Sequence, residues 1–78
     1  MAVHYFHCTD GADMVIDHKG HRMGGPDQIL AHAHTVAARL MRALPAYDDW
    51  RNWTVHVYDG MGVVTIIDFP VARRRAAA

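Results

Sequence analysis

The sequence predicts an α+β fold: a four-stranded antiparallel sheet in the order β-β-α-β-β, formed by two hairpins, with one helix packed on one face. Three observations predict it. Residues 26–44, PDQILAHAHTVAARLMRAL, carry apolar side chains at helical spacing. On either side of that stretch lie segments of strand length whose apolar residues alternate or run together. Each flanking pair is broken by an Asp-Gly dipeptide, Asp10-Gly11 and Asp59-Gly60, where glycine accepts positive φ and aspartate bonds the backbone ahead of it.

The first strand runs from Val3 to Thr9, with Phe6 and Cys8 on one face and Tyr5 and His7 on the other. Phe6 with Cys8 is the more apolar pair, so that face is expected to meet the helix. After the turn at Asp10-Gly11, Asp13 to Asp17 is expected to return as a second strand, with Met14 and Ile16 sharing a face; His18-Lys19-Gly20 closes it. Gly24 and Gly25 then let the chain turn into the helix.

Within the helix, Ile29, Leu30, Ala33, Val36, Ala37, Leu40, Met41 and Leu44 form one apolar arc. Pro26 suits the first helical position, Asp27 lies beside the positive end of the dipole, and Arg39 and Arg42 lie toward the negative end. Pro45 stops the helix. Tyr47 and Trp50 are expected to pin the following connection over the core. Trp53 to Tyr58 alternates, with Trp53, Val55 and Val57 on one face and Thr54, His56 and Tyr58 on the other. Val63 to Phe69 returns as a fourth strand, apolar on both faces. A right-handed crossover between the hairpins predicts the spatial order 2-1-3-4, with the first and third strands as central neighbours.

Composition narrows the function classes. One compact domain is expected over residues 1–70, followed by a flexible basic C-terminal tail, 71–78. Eight basic and eight acidic residues balance, so no global field attracts nucleic acid or a membrane surface. A single cysteine excludes an internal disulfide, and the start of the chain shows no secretion signal, which points to the cytoplasm. No apolar run reaches the roughly 20 residues that span a bilayer.

As a set, Tyr5-Phe6-His7 with Asp10-Gly11, Ile16-Asp17 and Gly20, a helix with Ala33, Ala37 and Leu40, and Trp53-x-Val55-x-Val57-x-Asp59 followed by Gly62 and Phe69 resembles a family of short proteobacterial proteins known only as a domain of unknown function. The resemblance spans Tyr5 to Phe69. The chain departs from the family pattern at Met23-Gly24-Gly25-Pro26, which replaces a Leu-Pro-Asp type of helix entry, and in its helical histidines. The resemblance implies a compact domain and no catalytic residue.

The seven histidines are the compositional oddity. His32 and His34 stand roughly 160° apart at about 100° per helical residue, so they cannot share an ion and read as borders of the apolar arc. His18 and His21 flank a turn and are expected to be exposed. His4 and Cys8 lie on the face of Phe6, and no second ligand pair such as CxxC completes a metal site. His7 and Cys8 point to opposite faces, which rules out a dyad between them. No phosphate-binding loop, dinucleotide fingerprint or HExxH motif occurs.

His7 and His56 are different. On adjacent central strands they would approach to about 5 Å at Cβ and, with Tyr5, Tyr58 and Thr65, form a polar-aromatic face away from the helix. The expected function is a small non-enzymatic interaction module that self-associates, as a homodimer, through this open face or an edge strand; a different protein partner is also compatible. Val63, Thr65, Ile67 and the tyrosines are the surface expected to be uncovered. No cofactor is expected. The alternative is a small-ligand or transition-metal binder using Tyr5, His7, His56 and Tyr58. A weaker one is a nucleic-acid accessory protein using Arg73–Arg75, a run that more often solubilises a chain end.

Overall fold

A computed structural model describes residues 2–71. In chain order the elements are β1 (Val3–Thr9), β2 (Met14–Val15), β3 (His21–Arg22), α1 (Pro26–Ala43), β4 (Thr54–Asp59) and β5 (Gly62–Asp68). The sheet is antiparallel in the order β2-β1-β4-β5, and β3 also pairs with β1. The expected α+β architecture and central pairing are therefore present, with the two central strands contributed by different hairpins.

The first hairpin departs from expectation. The second strand, read as 13–17, shrinks to Met14–Val15, which pair with Thr9 and Cys8. A further two-residue strand, His21–Arg22, pairs with His4 and Val3 further along the same edge. Between them the chain leaves the sheet, and the Asp17 side chain takes the place of a strand carbonyl: its Oδ2 accepts the Phe6 N–H at 3.1 Å. Its Oδ1 accepts the N–H groups of Lys19 (3.0 Å) and Gly20 (3.1 Å), folding the excursion back on itself. One carboxylate thus serves the gap in the ladder and shapes the loop that causes it.

The helix begins at Pro26 after an extended Gly25 that provides no side-chain cap, and Asp27 and Arg42 match the dipole at its two ends. Ala33 and Ala37 are fully buried and Ile29 nearly so; these small side chains let the helix lie close to the sheet. The expected arc is trimmed at its edges. Leu30 and Leu44 are exposed, and the helix stops at Ala43, one residue before Leu44.

Phe6, Cys8, Val55 and Val57 form the sheet side of the core, as the alternation predicted. Trp50, Trp53 and Phe69 close one end: Trp50 stacks on Phe69 at 5.6 Å and lies 5.3 Å from Trp53. Both indole N–H groups are satisfied by Tyr47, Trp50 through its carbonyl at 3.0 Å and Trp53 through its hydroxyl at 3.1 Å. Val71 packs against this core, so the packed region extends one residue beyond the boundary drawn at 70. The tail expected over 71–78 otherwise lies outside the described residues.

A bulge in β5 corrects the face assigned to its side chains. Thr65 pairs with Val57 and Val63 with Tyr58, leaving Val64 as the extra residue. Thr65 and Ile67 consequently share the helix-side face of Val57 and Val55, where they line a cleft with Ile29 and Leu30. Val63 and Ile66 take the opposite face, beside Tyr58 and His56.

Candidate functional site

The face away from the helix is built on two central strands whose alternation leaves Tyr5 and His7 on β1, and His56 and Tyr58 on β4, pointing the same way. Tyr5 lies opposite Tyr58 and His7 opposite His56. The His7 ring is 5.2 Å from Tyr58 and 6.4 Å from Tyr5, nearly parallel to the latter. Four of the five residues expected on this face are thus brought together. Thr65 is not among them, because the bulge turns it toward the helix.

This face is not bare along β1. The loop after β2 folds against it: the Asp17 N–H donates to His7 Nδ1 at 3.0 Å, and a Cβ on Gly20 would meet Val3 Cγ1 at 2.6 Å and the Tyr5 ring at 2.9 Å. With a backbone donor on Nδ1, the neutral His7 ring carries its proton on Nε2. His56 Nε2 lies 3.0 Å from the Thr54 hydroxyl, which donates to the Thr9 carbonyl at 3.4 Å. One nitrogen of His7 is therefore tied to the loop after β2, and one of His56 to the neighbouring Thr54 of its own strand. All four side chains are half-buried, and exposure rises on the β5 side, where Val63 is 54% and Ile66 55% exposed. Tyr5, His7, His56, Tyr58, Val63 and Ile66 include no carboxylate, lysine or arginine, and Asp68, opposite Thr54, places a carboxylate at the β5 margin of the same face.

A second cluster, on the helix side, was not expected. His32, read as a border residue, lies 4.7 Å from Phe6 and 4.3 Å from His21, and its Nε2 is buried with no hydrogen-bond partner. Burial, then the nearby charges of His21 and Arg39, hold its pKa below the usual histidine value, with Asp17 acting in the opposite sense. His21 is exposed as a residue, yet its ring packs on His32 and against the edge of Phe6. The signal for His32 was present: it follows Ile29 by three and precedes Val36 by four, which puts it on the packed face. His34 is exposed, as read. His4 is buried, its Nδ1 3.2 Å from the Ala2 carbonyl.

Cys8 is buried, and desolvation, helped by the charge of Asp17, pushes its thiol up to about 11. It has the environment of a core residue, and nothing there activates it as a nucleophile. Among the described residues, no three His, Cys, Asp or Glu side chains are placed to hold a metal ion together, and no helix is long and apolar enough to cross a membrane. Arg73–Arg75 lie outside the described residues.

The helix sits over β1 and β4 and leaves a wedge on the β2 side. This groove, about 340 Å³, is bounded by Val15 and Ile16 on one side and Val36, Leu40 and Ala43 on the other, with Phe6 and Cys8 between and Asp17, His21 and Arg39 as its polar groups.

Comparison with curated proteins and with solved structures finds no significant match in either. A family model described as a domain of unknown function (DUF6894) matches residues 3–70, from the first residue of β1 to Pro70, two residues beyond β5. The chain therefore belongs to the DUF6894 family.

Proposed function

We propose that the domain is a non-enzymatic interaction module that pairs with a second copy of itself through the open sheet face, centred on the β4–β5 half. The observation that carries this reading is the exposure of Val63 and Ile66 beside Tyr58 and His56, an uncharged patch with the carboxylate of Asp68, opposite Thr54, at its margin. A second copy suits such a face because a two-fold contact sets like against like, and uncharged groups incur no repulsion there. Face stacking is favoured over continuing the sheet at β5, since the bulge at Val64 interrupts the regular edge that strand addition needs.

Magnitudes make the association weak. Val63 and Ile66 are already half-buried, so each contributes about 1 kcal/mol on full burial, or roughly 4 kcal/mol from two copies. Association itself costs about 4–15 kcal/mol. The rings of Tyr58 and His56 must supply the surplus, and the dimer should form in the high micromolar range. The lone buried Cys8 and the balanced charge fit a cytoplasmic setting without a nucleic-acid partner.

Sedimentation equilibrium across a concentration series tests the reading. The expected result is a mass rising toward twice the 8.8 kDa of the chain, and Ile66→Lys returning it to 8.8 kDa with an unchanged far-ultraviolet spectrum. A native chain that stays at 8.8 kDa up to millimolar concentration overturns it.

The direct opposition of His7 and His56 favours one second reading, a transition-metal or small-ligand site with Tyr5 and Tyr58. Zinc or copper titration that leaves both imidazole NMR signals in place disposes of the metal form.

A further inference from the structure

The wedge between α1 and β2 combines three features. Its walls are apolar, and Val15 and Ile16 stay exposed there although they lie next to the core. Its volume, about 340 Å³, falls at the small end of the range for ligand pockets. Arg39 is also part of its lining, and among the described residues it makes no hydrogen bond or ion pair.

Asp17, the acidic group of the groove, does not neutralise Arg39 by direct contact. Both its oxygens are occupied by the backbone N–H groups of Phe6, Lys19 and Gly20 at 3.0–3.1 Å. A planar guanidinium with all its donors unused, beside an apolar trough, is a receptor for a carboxylate attached to an apolar body. A dianionic phosphate fits less well, because it would set two negative charges near an ionised Asp17.

We propose that this groove binds a small amphipathic monocarboxylate, its apolar body between Val15 and Leu40 and its carboxylate on Arg39. The site lies on the opposite side of the sheet from the self-association face and does not depend on it.

Titration of the ¹⁵N-labelled full chain with octanoate, below its micelle concentration, tests the proposal. Saturable shifts at the amides of Ile16, Val36 and Leu40 are expected. Octanol should bind at least tenfold more weakly, and octylamine more weakly still. Arg39 is exposed, so Arg39→Gln should keep the native melting temperature while weakening octanoate about tenfold. No saturable shift at these amides, shifts confined to Val63 and Ile66, equal binding of octanol and octanoate, or unchanged affinity in Arg39→Gln would each overturn it. Sedimentation of the same samples reports the self-association separately.

Discussion

The rings of His21 and His32 meet at 4.3 Å, tilted by 48°, where β3 faces α1, and the Nε2 atom of His32 is buried there without a partner. Phe6 lies at 4.7 Å on the other side of the His32 ring. A proton added to His32 would be desolvated and would meet the positive charges of His21 and Arg39, with His4 paired across from His21 and only Asp17 as a negative counterweight. The helix therefore docks best with His32 neutral.

This geometry predicts a pH-dependent stability. The folded-state pKa of His32 lies below its ordinary value of 6.5, so the unfolded chain binds the proton more readily. Stability is full above that value and is lost as pH falls through the folded value. Urea unfolding should show a lower midpoint at acidic pH than at pH 8. His32→Leu, which removes the titrating group and its unpartnered nitrogen, should flatten the difference between the two conditions. An equal drop in variant and native chain would show that the loss arises elsewhere.

Asp17 should matter more than a loop aspartate usually does. Burial works against its ionised form, yet the N–H groups of Gly20, Phe6 and Lys19, together with the charge of His21, hold its carboxyl below the usual range. Its contribution is present above the unfolded carboxylate value, near 3.9, and is lost as pH falls through the lower folded one. Asp17→Ala removes the acceptor from the Phe6 N–H inside the sheet, at a cost of about 1–3 kcal/mol in equilibrium unfolding. Hydrogen exchange should speed up at the Phe6, Lys19 and Gly20 amides and remain slow at Val57.

Gly20 is required by conformation and by space. Its φ is +74°, and a Cβ there would collide with Val3 and Tyr5. Gly20→Ala should cost about 1–3 kcal/mol for the backbone alone, with the collision added. Gly11, at φ +97° with open space around its Cβ position, provides the control: Gly11→Ala should show the conformational cost only. Similar losses at the two positions would show that the loop yields around the new methyl group.

Much of the fold was legible because the signals were local. The seven residues of β1 and the start of α1 at Pro26 were readable from alternation, helical spacing and proline position. The His7–His56 pairing was readable because two central strands of known alternation leave little freedom in which side chains oppose one another. Thr65 was misplaced because one extra residue, Val64, reverses the face of its neighbours, and no local composition marks a bulge inside a β-branched run.

The histidine cluster was hidden for a different reason. His32 and His21 come from separate elements, and their contact exists only once β3 has paired with β1 and the helix has settled over Phe6. By itself the sequence determined the class of fold, the place of the helix between the two groups of strands, the two turns and the inner face of each central strand, because each follows from a periodicity or a dihedral preference within a few residues. The tertiary structure alone decided that Asp17 fills the break in the β1 ladder, that β5 turns Val63 and Ile66 outward, and that the helix leaves a groove beside Arg39. Those outcomes depend on which backbone groups remain unpaired after the strands meet, a quantity that no single segment carries.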